Sequence, residues 1–508
     1  MFFKGLNPNS KADSDRRNKG KTIKAIFEQA KKSSDFHQFN PFEEDNNIVI
    51  SFYKSMVDTE IINKHFLPEV QEHIATITAI NDLKTKIPFD EVEVTGDPNE
   101  VEKNLIKGYV IVHFMAAEPL EVLMINIKND NLGYRSNNET ENEFSVIGPK
   151  VGFVENISVN IHLLRKQIAV SELVFEEIKI GSMSKTEVVI AYLDGISNPQ
   201  YINTVRQRLK NIDFDIVFDS SQLEQIISDN SNTPFPVFLS TERVDRVVYA
   251  MASGQIAILS NGSPYILTGP STLLDFFNSP EDYYLSWILG SFFRIIRILG
   301  VLFSMFSTAI YVAVLTYHYE VIPEELLGPL ISSRANVPFP PVLEAFFLEI
   351  TIELLREAGA RLPSKIGQTL GIVGGIVIGQ ASVEAALTSN ILLIIVSLSA
   401  LASFTTPIFK MSNAIRLLRF PFILFASILG GFGIAVGFVF LLSHLLKLKS
   451  LGNPYMVPLY PFRIKDYQDS FIRTSYQYTT NRSRFLRPLS LKRYAPGKGK
   501  DDGNDEWT

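Results

Sequence analysis

The residues best placed to do chemistry interrupt one apolar run, Ile366–Leu387, which contains Gln368, Thr369, Gln380 and Glu384. Four glycines, Gly367, Gly371, Gly375 and Gly379, recur in it at every fourth position. The run is long enough to cross a bilayer as a helix. Small residues at that spacing let helix backbones approach closely in lipid, and a carboxylate there must face protein or water. At 100° per residue, Thr369, Val373, Ile376, Gln380 and Glu384 share one face with Leu387. Gly367, Gly371 and Gly375 fall roughly opposite, with Gly379 to one side. Two chemistries fit. The polar face is a candidate pore lining, a hydrophobic constriction beside a polar ring. Alternatively, Gln380 and Glu384 are hydrogen-bonding glue between helices. A conduit would require several copies, because one chain has few helices to enclose a pore.

A second constellation is acidic. Glu344, Glu349, Glu353 and Glu357 punctuate Pro338–Leu362, and the last three share a helical face. This stretch reads as a re-entrant or interfacial helix, with either a solvated acidic face or an acidic vestibule beside a pore. Motifs for enzyme chemistry are lacking: no GxxxxGK[ST], HExxH, GxSxG or GxGxxG stands in a workable context, and the seven histidines are scattered. The reading is therefore not an enzyme and carries no cofactor and no metal. The chain has no cysteine, which excludes disulfides and thiolate chemistry.

The elements that must position these residues follow from composition. The 508 residues carry a formal net charge of -6, which points to no nucleic-acid partner. Residues 1–40 read as a flexible polar arm without a secretory signal. Two small α/β subdomains are expected at 41–147 and 148–284, with a boundary loop over Asp130–Asn142. Strands are expected at Asn47–Phe52, Tyr109–Phe114, Val122–Ile127, Leu173–Ile180 and Glu187–Leu193. Helices are expected at Asn156–Ile168, Pro199–Leu209, Ser221–Ile227 and Thr241–Met251. Asn261-Gly262 marks a hairpin. An α-helical, polytopic membrane domain follows at 285–446, with spans at about 299–317, 366–387, 391–409 and 420–446. Arg294 and Arg297 fall in an amphipathic lead-in to the first span.

The remainder, 447–508, is a basic tail. Lys447–Lys500 holds twelve Lys and Arg against Asp466 and Asp469, which reads first as a cytoplasmic anchor on anionic lipid and, compatibly, as a solvated, disordered tail. Four spans place both termini in the cytoplasm and the acidic 318–365 linker outside. Lys410, Arg416 and Arg419 then also sit outside, against the positive-inside rule. A crossing by 338–362 would bring those three inside but send the basic tail out.

Several runs resemble the A subunits of spore germinant receptors, the GerA family. They are Gly148–Lys166, Ile322–Pro340, Glu353–Glu384 and Ser403–Pro407. Glu353–Glu384 joins LREAG, RLP and the glycine helix in one stretch. Ser382 stands where the family pattern has a second alanine, and no proline precedes Tyr311. The resemblance implies a multi-pass protein of the inner spore membrane with a cytoplasmic pair of α/β subdomains. It implies work beside a permease-like, nutrient-binding B subunit and a lipoprotein C subunit. It further implies a homo-oligomeric cation channel opened by the B subunit. A non-conducting signalling scaffold is the alternative. A secondary transporter ranks last, because the spans show no internal repeat.

Overall fold

The computed structural model describes residues 22–41, 48–73, 77, 79–114, 121–129, 143, 147–361, 375, 377–463, 466–467, 469–476 and 478–493. It divides into two compact units, one of residues 1–231, 238–271 and 475–508, the other of 232–237 and 272–474.

The first unit holds two five-stranded antiparallel sheets. One joins β1 (Phe36–Phe39), β2 (Ile48–Tyr53), β3 (Val92–Thr95), β4 (Tyr109–Phe114) and β5 (Val122–Asn126) in the order β1-β2-β4-β5-β3. Every residue of β2 is buried because both sheet faces are covered. Ile111, Val122 and Met124 pack with α1 (Ile23–Ala30) and α2 (Pro98–Ile106), whereas Val110, Val112, Leu123 and Ile125 pack with Phe66, Val70 and Leu83. A strand buried on both faces loses polar alternation and reads as a continuous apolar run.

Part of the expected arm is ordered. Residues 1–21 lie outside the described residues, but 23–39 supply α1 and the edge strand β1. Ile23, Ile26, Phe27 and Ala30 recur at helical spacing and are buried, and the Thr22 hydroxyl accepts from the Ala25 N–H at 3.3 Å as the N-cap. The expected loop over Asp130–Asn142 lies outside the described residues.

The second sheet joins β6 (Leu173–Ile180), β7 (Thr186–Leu193), β8 (Leu239–Thr241), β9 (Ile256–Ser260) and β10 (Ile266–Gly269) in the order β6-β7-β9-β10-β8. Gly262, at φ 87°, turns the β9–β10 hairpin as its Asn-Gly dipeptide requires. Helices α3 (Ile157–Gln167), α4 (Pro199–Lys210), α5 (Ser220–Ile227) and α6 (Val244–Ser253) accompany this sheet, the first three capped by Asn156, Asn198 and Asp219. A buried pair joins the two sheets: Arg165 of α3 grips Asp35 at 2.7 and 2.8 Å and stacks 3.8 Å over the Tyr53 ring. Within this unit the late segment is structured too. Phe485 and Leu486 are buried, and the Arg482 guanidinium donates to the Ala252 carbonyl at 2.7 Å.

The second unit is helical: α7 (Trp287–Tyr317), α8 (Glu324–Arg334), α9 (Pro341–Ala360), α10 (Asn390–Ser403) and α11 (Phe409–Lys447). Residue 375 and residues 377–384 are also helical. Among the described residues, two helices, Trp287–Tyr317 and Phe409–Lys447, are long and apolar enough to cross a membrane. The expected lead-in and first span are one unbroken helix. Arg294 and Arg297 are accommodated because Asp282 and Asp469 neutralise them at 3.0–3.3 Å.

The expected single span at 420–446 requires correction. Gly430 has φ 62° and ψ -139°, outside the helical region. Residues fifteen apart in a straight helix lie about 22 Å apart, yet the Phe425 and Phe440 rings stack at 6.3 Å. A Cβ on Gly437 would sit 3.0 Å from the Phe422 ring. Helix α11 therefore folds back at Gly430 into two antiparallel limbs, 409–429 and 431–447. Glycine alone among the residue types adopts such a backbone at no steric penalty, and Gly433 and Gly437 let the limbs touch.

Candidate functional site: buried ion pairs between apolar helices

Three polar layers stack along α7. In the first, the Tyr311 hydroxyl meets the Ser389 hydroxyl at 3.0 Å, the Ser389 N–H donates to Glu344 at 3.2 Å, and Arg334 pairs with Glu344 at 2.7 Å. In the second, Glu349 accepts from the Thr308 hydroxyl at 2.7 Å and from the Arg419 guanidinium at 3.2 Å. Arg419 also donates to the Ser399 carbonyl at 3.0 Å and to the Ser304 hydroxyl, and the Ser399 hydroxyl donates to the Ser304 carbonyl at 3.0 Å. In the third, Arg416 lies 3.7 Å from Glu353, and Arg356 donates to the Ser403 hydroxyl at 3.3 Å while stacking 4.2 Å from the Phe404 ring centroid.

The layers fix the run of the helices. Tyr311, Ser304 and Gly300 meet Ser389, Ser399 and Ala402 in turn, so α10 runs antiparallel to α7. Glu344 and Glu349 meet the Tyr311 and Thr308 levels in turn, so α9 is antiparallel as well. Ser304, Phe306 and Tyr317 meet Arg419, Phe422 and Ile428, so limb 409–429 runs parallel to α7 and limb 431–447 returns.

The acidic residues separate by depth. Glu344 and Glu349 have side-chain exposures of 0% and 1%, Glu353 is half-buried, and Glu357 is exposed and pairs with Arg361 one turn on. Spacing placed Glu349, Glu353 and Glu357 on one face, but the neighbouring helices cover only its first part. Gln380 and Glu384 are exposed, and the Gln380 amide donates to Glu384 at 2.9 Å. Gly375 faces open space, and Gly379 approaches Leu393. Thr369, Val373, Ile376, Gly367 and Gly371 lie outside the described residues. No group of acidic and histidine side chains among the described residues has a metal-binding arrangement.

The sequence does not single out Arg334, Thr308, Ser304 or Ser399, and it marks Arg419 only as a charge against the positive-inside rule. One signal was present. An arginine in an apolar helix must be paired, and the glutamates of another apolar helix were unmatched.

These features define a class: an α/β unit joined to a unit of apolar helices that bury their charges as internal ion pairs. The profile of the Bacillus/Clostridium GerA spore germination protein matches residues 21–485. The chain is 44% identical over 476 residues to spore germination protein GerQA of Bacillus cereus, covering 94% of each. It is 36% identical over 474 residues to the uncharacterized membrane protein YfkQ of Bacillus subtilis (strain 168), covering 92% of this chain and 91% of that one. The crystal structure of the N-terminal domain of the A subunit of the Bacillus megaterium spore germinant receptor GerK3 is 25% identical. It covers 49% of this chain and 94% of that one, with a TM-score of 0.36. The chain belongs to the GerA family of spore germination proteins.

Proposed function

We propose that the chain is the A subunit of a nutrient germinant receptor, a multi-pass protein of the inner spore membrane with both termini in the cytoplasm. It acts beside a permease-like B subunit and a lipoprotein C subunit. Several copies form a cation conduit that opens when nutrient binds the B subunit. One observation supports this reading: Gln380 and Glu384 are exposed on a helix whose other described residues are small or apolar. Gln380 supplies Glu384 with one hydrogen bond, and the rest of the exposed carboxylate calls for water or a further polar partner. Membrane residence is supported by the apolar surface of α7, where Ile288, Phe292, Leu299, Phe303 and Ile310 are exposed. The candidate pore face is Thr369, Val373, Ile376, Gln380 and Glu384; Glu353 and Glu357 are left as the accessible members of the acidic vestibule.

The test is cation release from spores carrying Glu384→Gln or Gln380→Leu at normal protein levels. We expect release on nutrient to slow at least several-fold. Release at the parental rate removes the pore assignment. The internal pairing of Glu344 and Glu349 favours a second reading, a non-conducting scaffold in which the polar groups only hold helices together. Purified receptor that binds its partner subunit but passes no ions in vesicles would establish that reading instead.

A further inference from the structure

Breaking α11 at Gly430 orphans backbone groups that a continuous helix would pair internally. Inside a bilayer each such group costs several kcal/mol unless protein satisfies it. Three of them are satisfied by the last residues of α7 and its C-cap. The Tyr317 hydroxyl contacts the carbonyls of Ser427 and Ile428 at 3.1 and 2.8 Å. His318 Nε2 accepts the N–H of Gly431 at 3.1 Å, which requires the ring proton on Nδ1. The fit is tight: a Cβ on Gly430 would lie 2.9 Å from both His318 Nε2 and the Tyr317 Cβ.

We infer that Tyr317 and His318 form a latch that holds the α11 hairpin closed and makes the position of its second limb depend on α7. The two limbs share one short turn, and beyond it they touch through the Phe425–Phe440 stack and through Gly437 against the Phe422 ring. At the turn itself, the orphaned backbone groups rest on partners that α7 brings. A displacement of the α7 terminus by a few ångströms breaks all three contacts together and loosens limb 431–447 at its Gly430 end, leaving it held by Phe438 on Phe306 at 6.0 Å and by His444 on the Thr233 hydroxyl at 2.9 Å. Tyr317 and His318 are positioning residues in this scheme. The inference concerns the hairpin itself and holds whether the receptor conducts ions or only relays a signal.

The natural chain contains no cysteine, so an introduced pair is read without background. Phe425→Cys with Phe440→Cys, treated in membranes with a short thiol crosslinker, reports the closed hairpin as a gel-mobility shift. The pair should crosslink readily in the otherwise unchanged chain. Adding Tyr317→Phe and His318→Leu should lower the crosslinked fraction at least threefold, whereas His318→Gln alone, whose amide oxygen still accepts, should preserve it. Gly430→Ala should lower it as well. An unchanged fraction in the Tyr317→Phe/His318→Leu chain overturns the latch, as does failure of the parent pair to crosslink. If the double-substituted chain does not accumulate, Tyr317→Phe alone is compared with the parent on the same terms. In spores, closing the hairpin with a reducible crosslinker should block the germinant response until reductant is added. A response that persists through crosslinking removes the latch as a moving part.

Discussion

At the scale of single residues, the central fact is that Glu349 and Arg419 are both 1% exposed and in contact. Removing one partner strands the other as an uncompensated buried charge, which costs about 3–5 kcal/mol, whereas replacing both with apolar groups of similar volume is often near neutral. We therefore expect Glu349→Ala to lower the thermal midpoint of the detergent-solubilised protein sharply and to cut its level in membranes. Glu349→Leu combined with Arg419→Met should recover most of that loss. A double substitution as damaging as the single one would show that the pair does more than neutralise itself. The pair was half legible in the sequence. Glu349 was noticed because a carboxylate is conspicuous in an apolar stretch. Arg419 reads in the sequence as a loop charge, because the apolar run begins at residue 420 and its partner lies seventy positions away.

At the scale of elements, strands and helices of the α/β unit were largely readable because their apolar residues recur with periods of 2 and 3.6. Tyr109–Phe114 and Leu173–Ile180 fall where β propensity put them. The misses have physical causes. Helix α1 and strand β1 were hidden by a polar surrounding sequence, and β3 is short and mostly half-buried. The break in α11 was hidden because glycine serves both close packing and turns, and the order of the strands depends on contacts that no local pattern encodes. The docking of α1 over β4 leads to a prediction. Phe27 stacks on His113 at 5.1 Å, and burial pushes the His113 pKa down to about 4. The unfolded chain binds this proton with a pKa near 6.5. The neutral imidazole thus contributes stability that is fully present above pH 6.5 and lost as pH falls toward 4, up to about 3 kcal/mol. Urea midpoints of the full protein, followed by protease sensitivity near α1, should fall across that window. In a His113→Phe chain the same window should have a weaker effect, and equal slopes would place the titrating group elsewhere.

At the scale of the whole molecule, charge pairing bears on topology. Four spans left Lys410, Arg416 and Arg419 on the wrong side for the positive-inside rule. Pairing takes Arg416 and Arg419 out of that count, because Glu353 and Glu349 neutralise them within the bundle. In the proposed topology, the fold-back at Gly430 and the run of α9 beside α7 would add one passage each to the four expected spans, which keeps the parity even. In this arrangement Lys410 falls at the end of the bundle where α7 begins, since Gly300 meets Thr405 and the Ser412 hydroxyl donates to the Ser403 carbonyl at 3.0 Å. Arg294 bridges Asp282 before α7 and Asp469 after α11, which places the entry and exit of the helical unit together. Basic residues at both ends and Lys410 then share one side, as the rule asks. Cysteines placed singly at Ser279, Ile472 and Leu326 in the cysteine-free chain test this. A membrane-impermeant thiol reagent applied to oriented vesicles should label Ser279→Cys and Ile472→Cys from the same face and Leu326→Cys, in α8 beyond the far end of α7, from the other. Labelling of residues 279 and 472 from opposite faces would mean an odd number of crossings. Labelling of all three from one face would mean that α7 lies along the membrane rather than through it.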